Sequence, residues 1–408
     1  MKEKGLDSSK VLGIKVLPSY LFAFLLFMAC TLSGCIEEFE ADISDEDSDL
    51  LVVEGSICAS RLNKFTLSRT QALNSSTNPR LVMGAIVSVR GSDGSEQVAQ
   101  AADGYYSCWM DDLAPDVEYF LHIEADGEVY ESEPQKPLRT EKIAEVCGVQ
   151  DTPESDIDVL VTPEAPFNSD QTNYYSWTYD ETWEVHPDYT TTIYFDTDSL
   201  KPLINAYQFP VCGWRDATGT TIMVGSSANY DGQHIRRLKM YDVARNSERV
   251  FYRYSGLVHQ RAISKAEYEY ELARRQAGSE MGGLFTPQPS ALPSNIHCLT
   301  SNKHVIGYIG CSLNTSEYRF FFNPDDFTIY RSPQEDKRVW LENPSMQACC
   351  KMVEKGLYLC KWEDPMMSPD GVLRTAWATI EQLDVRYKYR GAYVEEPDFW
   401  SLEENVSY

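Results

Sequence analysis

Between Tyr174 and Val185 the chain alternates for twelve residues with a period of two. Tyr175, Trp177, Tyr179, Trp183 and Val185 share one face, interrupted only by Glu181. Tyr174, Ser176, Thr178, Asp180, Thr182 and Glu184 share the other. A helix would scatter these side chains around its axis, whereas a strand sorts them into one apolar and one polar face. This segment therefore commits the centre of the chain to a sheet. Its aromatic face has two readings: the core side of that sheet, or a platform of flat rings (Tyr175, Trp177, Tyr179, Trp183) on which a ligand such as a sugar stacks.

The rest of the 408 residues fits a β-rich chain, with 25 Tyr, 23 Gly and 20 Pro. Short strands are expected at Leu51–Glu54, Phe65–Arg69, Ala85–Arg90, Gln97–Ala101, Tyr105–Trp109, Tyr119–Ala125 and Glu128–Glu131. Asp93-Gly94 and Asp103-Gly104 fall at junctions, and Asp126-Gly127 separates two alternating runs by two residues, which marks a hairpin. Seven strands in this span predict a small β-sandwich over residues 50–140. Residues 141–408 read as a larger β-rich domain, with strands at Thr190–Phe195, Thr221–Val224, Val250–Tyr254, Val305–Leu313, Tyr318–Phe322 and Leu357–Trp362. One helix is expected near residues 264–277, where Ser264 and Glu267 have capping-box spacing and Gly278 can close the end. A Pro/Gly-rich loop, Gly282–Pro293, follows.

The N-terminus addresses the chain. Lys2, Lys4, Lys10 and Lys15 precede an apolar run, Tyr20–Cys30, whose 11 residues are too short for the roughly 20 that span a membrane. Leu32-Ser33-Gly34-Cys35 then resembles a bacterial lipobox, so residues 1–34 read as a signal peptide and Cys35 as the lipidated residue. Residues 35–49 form an acidic tether, with eight acids and no base between Ile36 and Asp49. This run resembles the acidic export signal of Bacteroidota surface lipoproteins and points to display on the cell surface. The whole chain carries 36 bases against 62 acids, a charge of −26; without residues 1–34 it is 32 against 60, or −28. Such a surface repels a phosphate backbone, so nucleic acid is excluded as a partner and polyanionic cargo is disfavoured.

Catalytic motifs are missing from the sequence. There is no H-E-x-x-H, no G-x-S-x-G and no Walker A loop, and the six His are scattered. No C-x-x-C spacing exists, which argues against structural zinc and thioredoxin chemistry. Nine Cys remain after Cys30 and Cys35 are set aside, an odd number, so at least one thiol is free or pairs externally. A local staple joining Cys360 to Cys349 or Cys350, and a long-range bridge between Cys212 and Cys298, are the disulfides to look for in an oxidising envelope. No cofactor and no metal are expected.

Several stretches together resemble one family, the Bacteroidota lipoproteins classed as domain of unknown function 4249. They are the lipobox at Cys35, Leu51–Gly55, Gly84–Val89, Gly104-Tyr105, Tyr119–Ile123, Tyr175–Trp183, Cys212–Trp214, Tyr252–Tyr270, Gly283–Cys298, Val305–Ser312 and Pro397–Trp400. Asp116 departs from the pattern at a turn, where a Gly is expected. The N-terminal strands also resemble the carboxypeptidase-regulatory-like sandwich. The resemblance implies an outer-membrane lipoprotein encoded beside a TonB-dependent transporter and supplies no catalytic residue. The expected function is that of a lipid-anchored accessory to such a barrel in nutrient capture or uptake. A structural or adhesive surface protein is the alternative, and a cryptic hydrolase the third.

Overall fold

A computed structural model describes residues 49–70, 80–167, 170–196, 202–204, 209–279, 292–402 and 406–407. The proposed lipidation site Cys35, the tether up to Ser48 and most of the Gly282–Pro293 loop lie outside them. Strands account for 43% and helices for 14% of the described residues, so the chain is mostly β, in several open sheets.

The N-terminal strands alternate, so each buries one face, and two sheets pack those faces together. In the first sheet the order is Val305–Gly307, Leu51–Gly55, Arg61–Arg69, Tyr105–Met110, Gln100–Ala102. The second runs Ile296–Cys298, Glu128–Ser132, Tyr119–Ala125, Ile86–Gly91, Glu96–Val98. Leu51, Val53, Phe65 and Leu67 from one meet Val87, Val89, Leu121, Ile123 and Tyr130 from the other in a single core. Asp126 and Gly127 both take positive φ, 55° and 79°, as a two-residue hairpin turn requires. Asp126 also receives a 2.5 Å bond from the inward-facing Arg69.

Residues 296–312 return to this sandwich from far along the chain. Val305–Gly307 lies parallel to Leu51–Val53, Ile296–Cys298 antiparallel to Tyr130–Ser132, and Cys311-Ser312 parallel to Ile57-Cys58. The sandwich is thus completed by chain from beyond the expected 50–140 span.

The alternating strand Tyr174–Val185 forms the spine of a second, six-stranded sheet. It pairs with Tyr254–Ile263 along ten residues and with Gly213–Thr218 and Met223–Ser226 on its other edge. Ser316–Phe322 and Val406–Ser407 extend the sheet beyond Tyr254–Ile263. A three-stranded sheet, Ile143–Val149, Ile157–Pro163 and Leu238–Val243, shares its core. The strand expected at Val250–Tyr254 is instead a 3-10 turn, Glu248–Val250, capped by Ser247 Oγ, and the strand begins at Tyr254. A last small sheet, Val339–Glu342, Arg374–Ala378 and Tyr358–Glu363, packs on the helix Met346–Glu354.

The aromatic face of the spine is core. Tyr175, Trp177 and Trp183 are buried, and Tyr179 stacks on Tyr241 with ring centres 3.7 Å apart. The indole of Trp177 donates to Gln260 Oε1 at 2.8 Å, and the Tyr175 hydroxyl donates to Glu141 at 2.9 Å. Trp183 lies between the guanidinium groups of Arg215 and Arg249. These rings are therefore unavailable as a ligand platform. Glu181, the one acid on this face, is 2% exposed. It accepts from the Tyr254 hydroxyl at 2.7 Å and pairs with Arg249 at 3.0 Å. Burial pushes its carboxyl up, against the pull of Tyr254 and Arg249. Gly256 lies opposite Glu181 in register, and a Cβ there would collide with the Phe320 ring.

If this face is core, Trp177→Ala should cost about 3–5 kcal/mol in urea unfolding, as expected for a buried aromatic. Tyr254→Phe should cost about 1–3 kcal/mol by removing one bond from a buried carboxylate. A Trp177→Ala variant as stable as wild type would return the platform reading.

Candidate functional site

The polar face of the spine is built into a site. Ser176 and Thr178 stand opposite Arg261 and His259 of the neighbouring strand, forming one wall of a cleft of about 400 Å³. The strands Leu51–Gly55 and Arg61–Arg69 of the sandwich supply Val53, Glu54, Arg61, Leu62 and Lys64. The helix Lys265–Ser279 supplies Glu267, Tyr270, Glu271 and Arg274, an i, i+3, i+4, i+7 set on one helical face. That face is inward: Glu267 is 4% and Tyr270 5% exposed.

Arg261 and Glu267 form a two-bond fork, at 2.5 and 3.2 Å. Burial pulls Arg261 down, but the charge and hydrogen bonds of Glu267 outweigh it and hold the guanidinium protonated. The Glu267 amide N–H donates to Ser264 Oγ at 3.1 Å, the expected cap, while its carboxylate turns to Arg261 instead of back to the helix start. Gly310 lies against this pair; a Cβ there would collide with the Glu267 carboxylate. Arg274 joins Glu271 at 2.9 Å and Glu54 at 3.6 Å. Burial pushes the Glu271 carboxyl up and the Tyr270 hydroxyl up to about 12.

His259 has a carboxylate on each ring nitrogen, Asp180 at Nε2 (2.9 Å) and Glu317 at Nδ1 (3.0 Å). Burial pulls its pKa down, yet the bonds to Glu317 and Asp180 together raise it above the ordinary 6.5. In the protonated form both nitrogens donate to these carboxylates, and the ring then has no lone pair to act as a base. The same contact lowers the Glu317 carboxyl, the bond from His259 being the largest cause. Among the described residues no group of three or more His, Cys, Asp or Glu is arranged to hold a metal ion.

The expected disulfides are not formed. Cys212, Cys298, Cys349 and Cys360 are free thiols. Cys349 packs from the helix Met346–Glu354 against Leu359 and Trp377, with half-buried Cys350 beside it. Cys360 packs in a separate cluster with Ala376, Ala378 and Leu383 and donates to the Ala376 carbonyl. Cys360 is the extra residue of a bulge between Leu359 and Lys361, and it packs in a different cluster from Cys349. Cys298 sits on a sandwich strand beside Ser301 at 3.1 Å, while Cys212 precedes a strand of the central sheet.

Sequence reasoning singled out Glu267 only as a capping-box residue, and none of the cleft's cations. The helical spacing of Glu267, Tyr270, Glu271 and Arg274 was a readable signal, but a charged helix face ordinarily faces solvent. Arg61 and Lys64 sit at the start of a strand and carry no spacing signal at all.

Two outcomes follow from this geometry. Glu267→Gln should destabilise the fold by about 3–5 kcal/mol by stranding Arg261, and Glu267→Leu combined with Arg261→Met should cost less than either single change. Urea unfolding of the four proteins checks this; additive losses would contradict a coupled pair. His259 has a raised folded pKa, so its stabilisation is fully present below pH 6.5 and is lost as pH rises through the folded value. The melting temperature of His259→Gln should therefore approach that of wild type as pH climbs from 6 to about 9. A gap that widens over that range would contradict the bracketed imidazolium.

Compared with known families, residues 36–318 match the model of "Domain of unknown function (DUF4249)". The stretch from 319 onward, with Pro397–Trp400, lies beyond the match. No curated protein matches. Among solved structures, a trypsin-activated alpha-2-macroglobulin from Escherichia coli is similar at 9% identity and a TM-score of 0.18, over 54% of this chain and 15% of that one. A Salmonella alpha-2-macroglobulin variant is similar at 10% identity and a TM-score of 0.16, over 88% of this chain and 22% of that one. The chain thus spans less than a quarter of either protein, and scores this low carry no inference about fold or function. The family match covers more than half of the 408 residues, and the chain belongs to the DUF4249 family, whose function is unknown.

Proposed function

We propose that this chain is a lipid-anchored binding protein of the outer membrane, displayed at the cell surface, that serves a TonB-dependent barrel in capturing a small solute. The observation that carries binding over catalysis is how the cleft spends its titratable groups. Arg261 is held by Glu267, Arg274 by Glu271, and His259 by two carboxylates, so the lining is rigid and recognises rather than reacts.

The anchor rests on Leu32–Cys35 behind the short apolar leader, and the barrel on what the resemblance to Bacteroidota lipoproteins implies. Directly after the acidic run Leu50 is buried and Leu51 opens an interior strand of the first sandwich sheet. Even fully stretched, the 14 residues from Ile36 to Asp49 reach at most about 50 Å, so a lipid at Cys35 would keep the cleft beside a membrane partner. A second reading, a structural or adhesive surface protein without a transporter, draws on Met366 and Met367. These stand 94% and 87% exposed between the strands Tyr358–Glu363 and Arg374–Ala378, an apolar tip suited to a protein contact.

Affinity purification of the tagged chain from its native outer membrane tests the reading. A TonB-dependent barrel should co-purify, and Cys35→Ala should release the protein to the soluble envelope fraction without it. Recovery of the membrane-bound chain with no barrel would favour the adhesive reading. A Cys35→Ala protein that stays in the membrane would overturn the anchor.

A further inference from the structure

The cleft wall reverses the sign of the molecule. In a chain of net charge −26, the lining carries Arg61, Lys64, Arg261 and Arg274 against Glu54, Glu267 and Glu271. The pairing matters more than the count. Glu267 is spent on Arg261, and Glu54 and Glu271 are spent on Arg274. Among the described residues, neither the Arg61 guanidinium nor the Lys64 ammonium has a hydrogen bond or a carboxylate within 4 Å; Lys64 rests over the Tyr105 ring. Arg61 does act on Glu317, whose Oε1 is taken by His259. Two cations without an ion-pair partner within 4 Å, Arg61 feeling Glu317 only at longer range, therefore border a concave space whose own acids are all engaged.

A second observation points to an occupant. Tyr270 is 5% exposed, lines the cleft and makes no hydrogen bond among the described residues; its ring packs with Leu50, Leu292, Ile306 and Tyr308. Burial applies to the ring and not to the hydroxyl oxygen, which is not sealed from solvent and is therefore open to an oxygen-rich ligand in the cleft. Ser56, Ser176 and Thr178 add further hydroxyls to the lining.

We propose that the cleft binds a small organic anion carrying two or more carboxylate or phosphate groups, held by Arg61 and Lys64 and completed by the Tyr270 hydroxyl. The volume, about 400 Å³, is at the lower end of small-molecule sites and suits a solute of tricarboxylate size. The overall negative charge repels long polyanions, which lie over the acidic surface, whereas a compact anion inside the cleft is governed by the cations lining it. The proposal rests on reading the cleft as a binding site. It needs neither the anchor nor the barrel.

Isothermal titration calorimetry on the full chain in detergent, at low salt, tests it with citrate, inorganic pyrophosphate and the dication putrescine. Citrate or pyrophosphate should bind once per chain with a dissociation constant below about 1 mM. The tighter of the two tells whether carboxylate or phosphate is the preferred group. Arg61→Gln with Lys64→Gln should weaken that binding at least about tenfold, and Tyr270→Phe by less. The double variant should melt close to wild type, since neither side chain makes an ion pair within 4 Å and Arg61 acts on Glu317 only at longer range; if it does not, Lys64→Gln alone, at an exposed position, should still weaken binding. Absence of citrate and pyrophosphate heat at about 10 mM, far above any specific affinity, would overturn the proposal. So would binding indifferent to the charge changes, or putrescine binding more tightly than either anion. Because the isolated chain is titrated, the answer is independent of whether a barrel co-purifies.

Discussion

The fork between Arg261 and Glu267 is where the parts of this molecule meet. Arg261 belongs to a strand paired on one side with the spine Tyr174–Val185 and on the other with Ser316–Phe322. Glu267 lies in the first turn of the helix that follows that strand. Gly310, pressed against the carboxylate, belongs to the returning segment, and its carbonyl accepts from Ile57 N at 2.9 Å. A charge pair taken out of water is tolerated only when its geometry is good, and then it penalises any arrangement that separates its members. Here it fixes helix, central sheet and sandwich closure with one contact, and the cleft is the space left between the three.

Much of this fold was legible because its signals are local. Six of the seven expected strands between Leu51 and Glu131 appear within a few residues of their expected ends, while Gln97–Ala101 breaks at Ala99 into Glu96–Val98 and Gln100–Ala102 on different sheets; Asp126-Gly127 makes the turn its residue types demand. The spine was readable from period alone, including the acid at Glu181 that breaks its dry face. What stayed hidden has physical causes. Tyr254–Ile263 does not alternate cleanly: its inward face includes Gly256 and Gln260, because Phe320 needs the space and Trp177 needs an acceptor. The return of residues 296–312 to strands near Leu51 is pairing across some 250 positions, which no window detects. The helix Met346–Glu354 is only nine residues long, shorter than the stretch over which a helical period is read.

The cleft was the least legible part. Its helix presents Glu267, Tyr270, Glu271 and Arg274 inward, the reverse of ordinary amphipathic patterning. Its cations differ from other surface bases only in lacking partners, a property of the folded chain and not of its spacing. Overall acidity concealed them further, since a charge of −26 is a statement about the average surface. Burying so many charges in one place costs stability, and such sites persist where they serve recognition.

Hydrogen exchange on the full chain, with and without citrate, tests the central claim most directly. If the Arg261–Glu267 fork organises a binding cleft, Tyr254–Ile263 and the segment around Gly310 will exchange as slowly as the spine. Citrate will then slow exchange further in the helix Lys265–Ser279 and around Arg61–Lys64, leaving the remote sheet Val339–Ala378 unchanged. A helix that exchanges as fast as a fraying terminus, and stays so with citrate present, would contradict both the organising fork and the cleft it shapes.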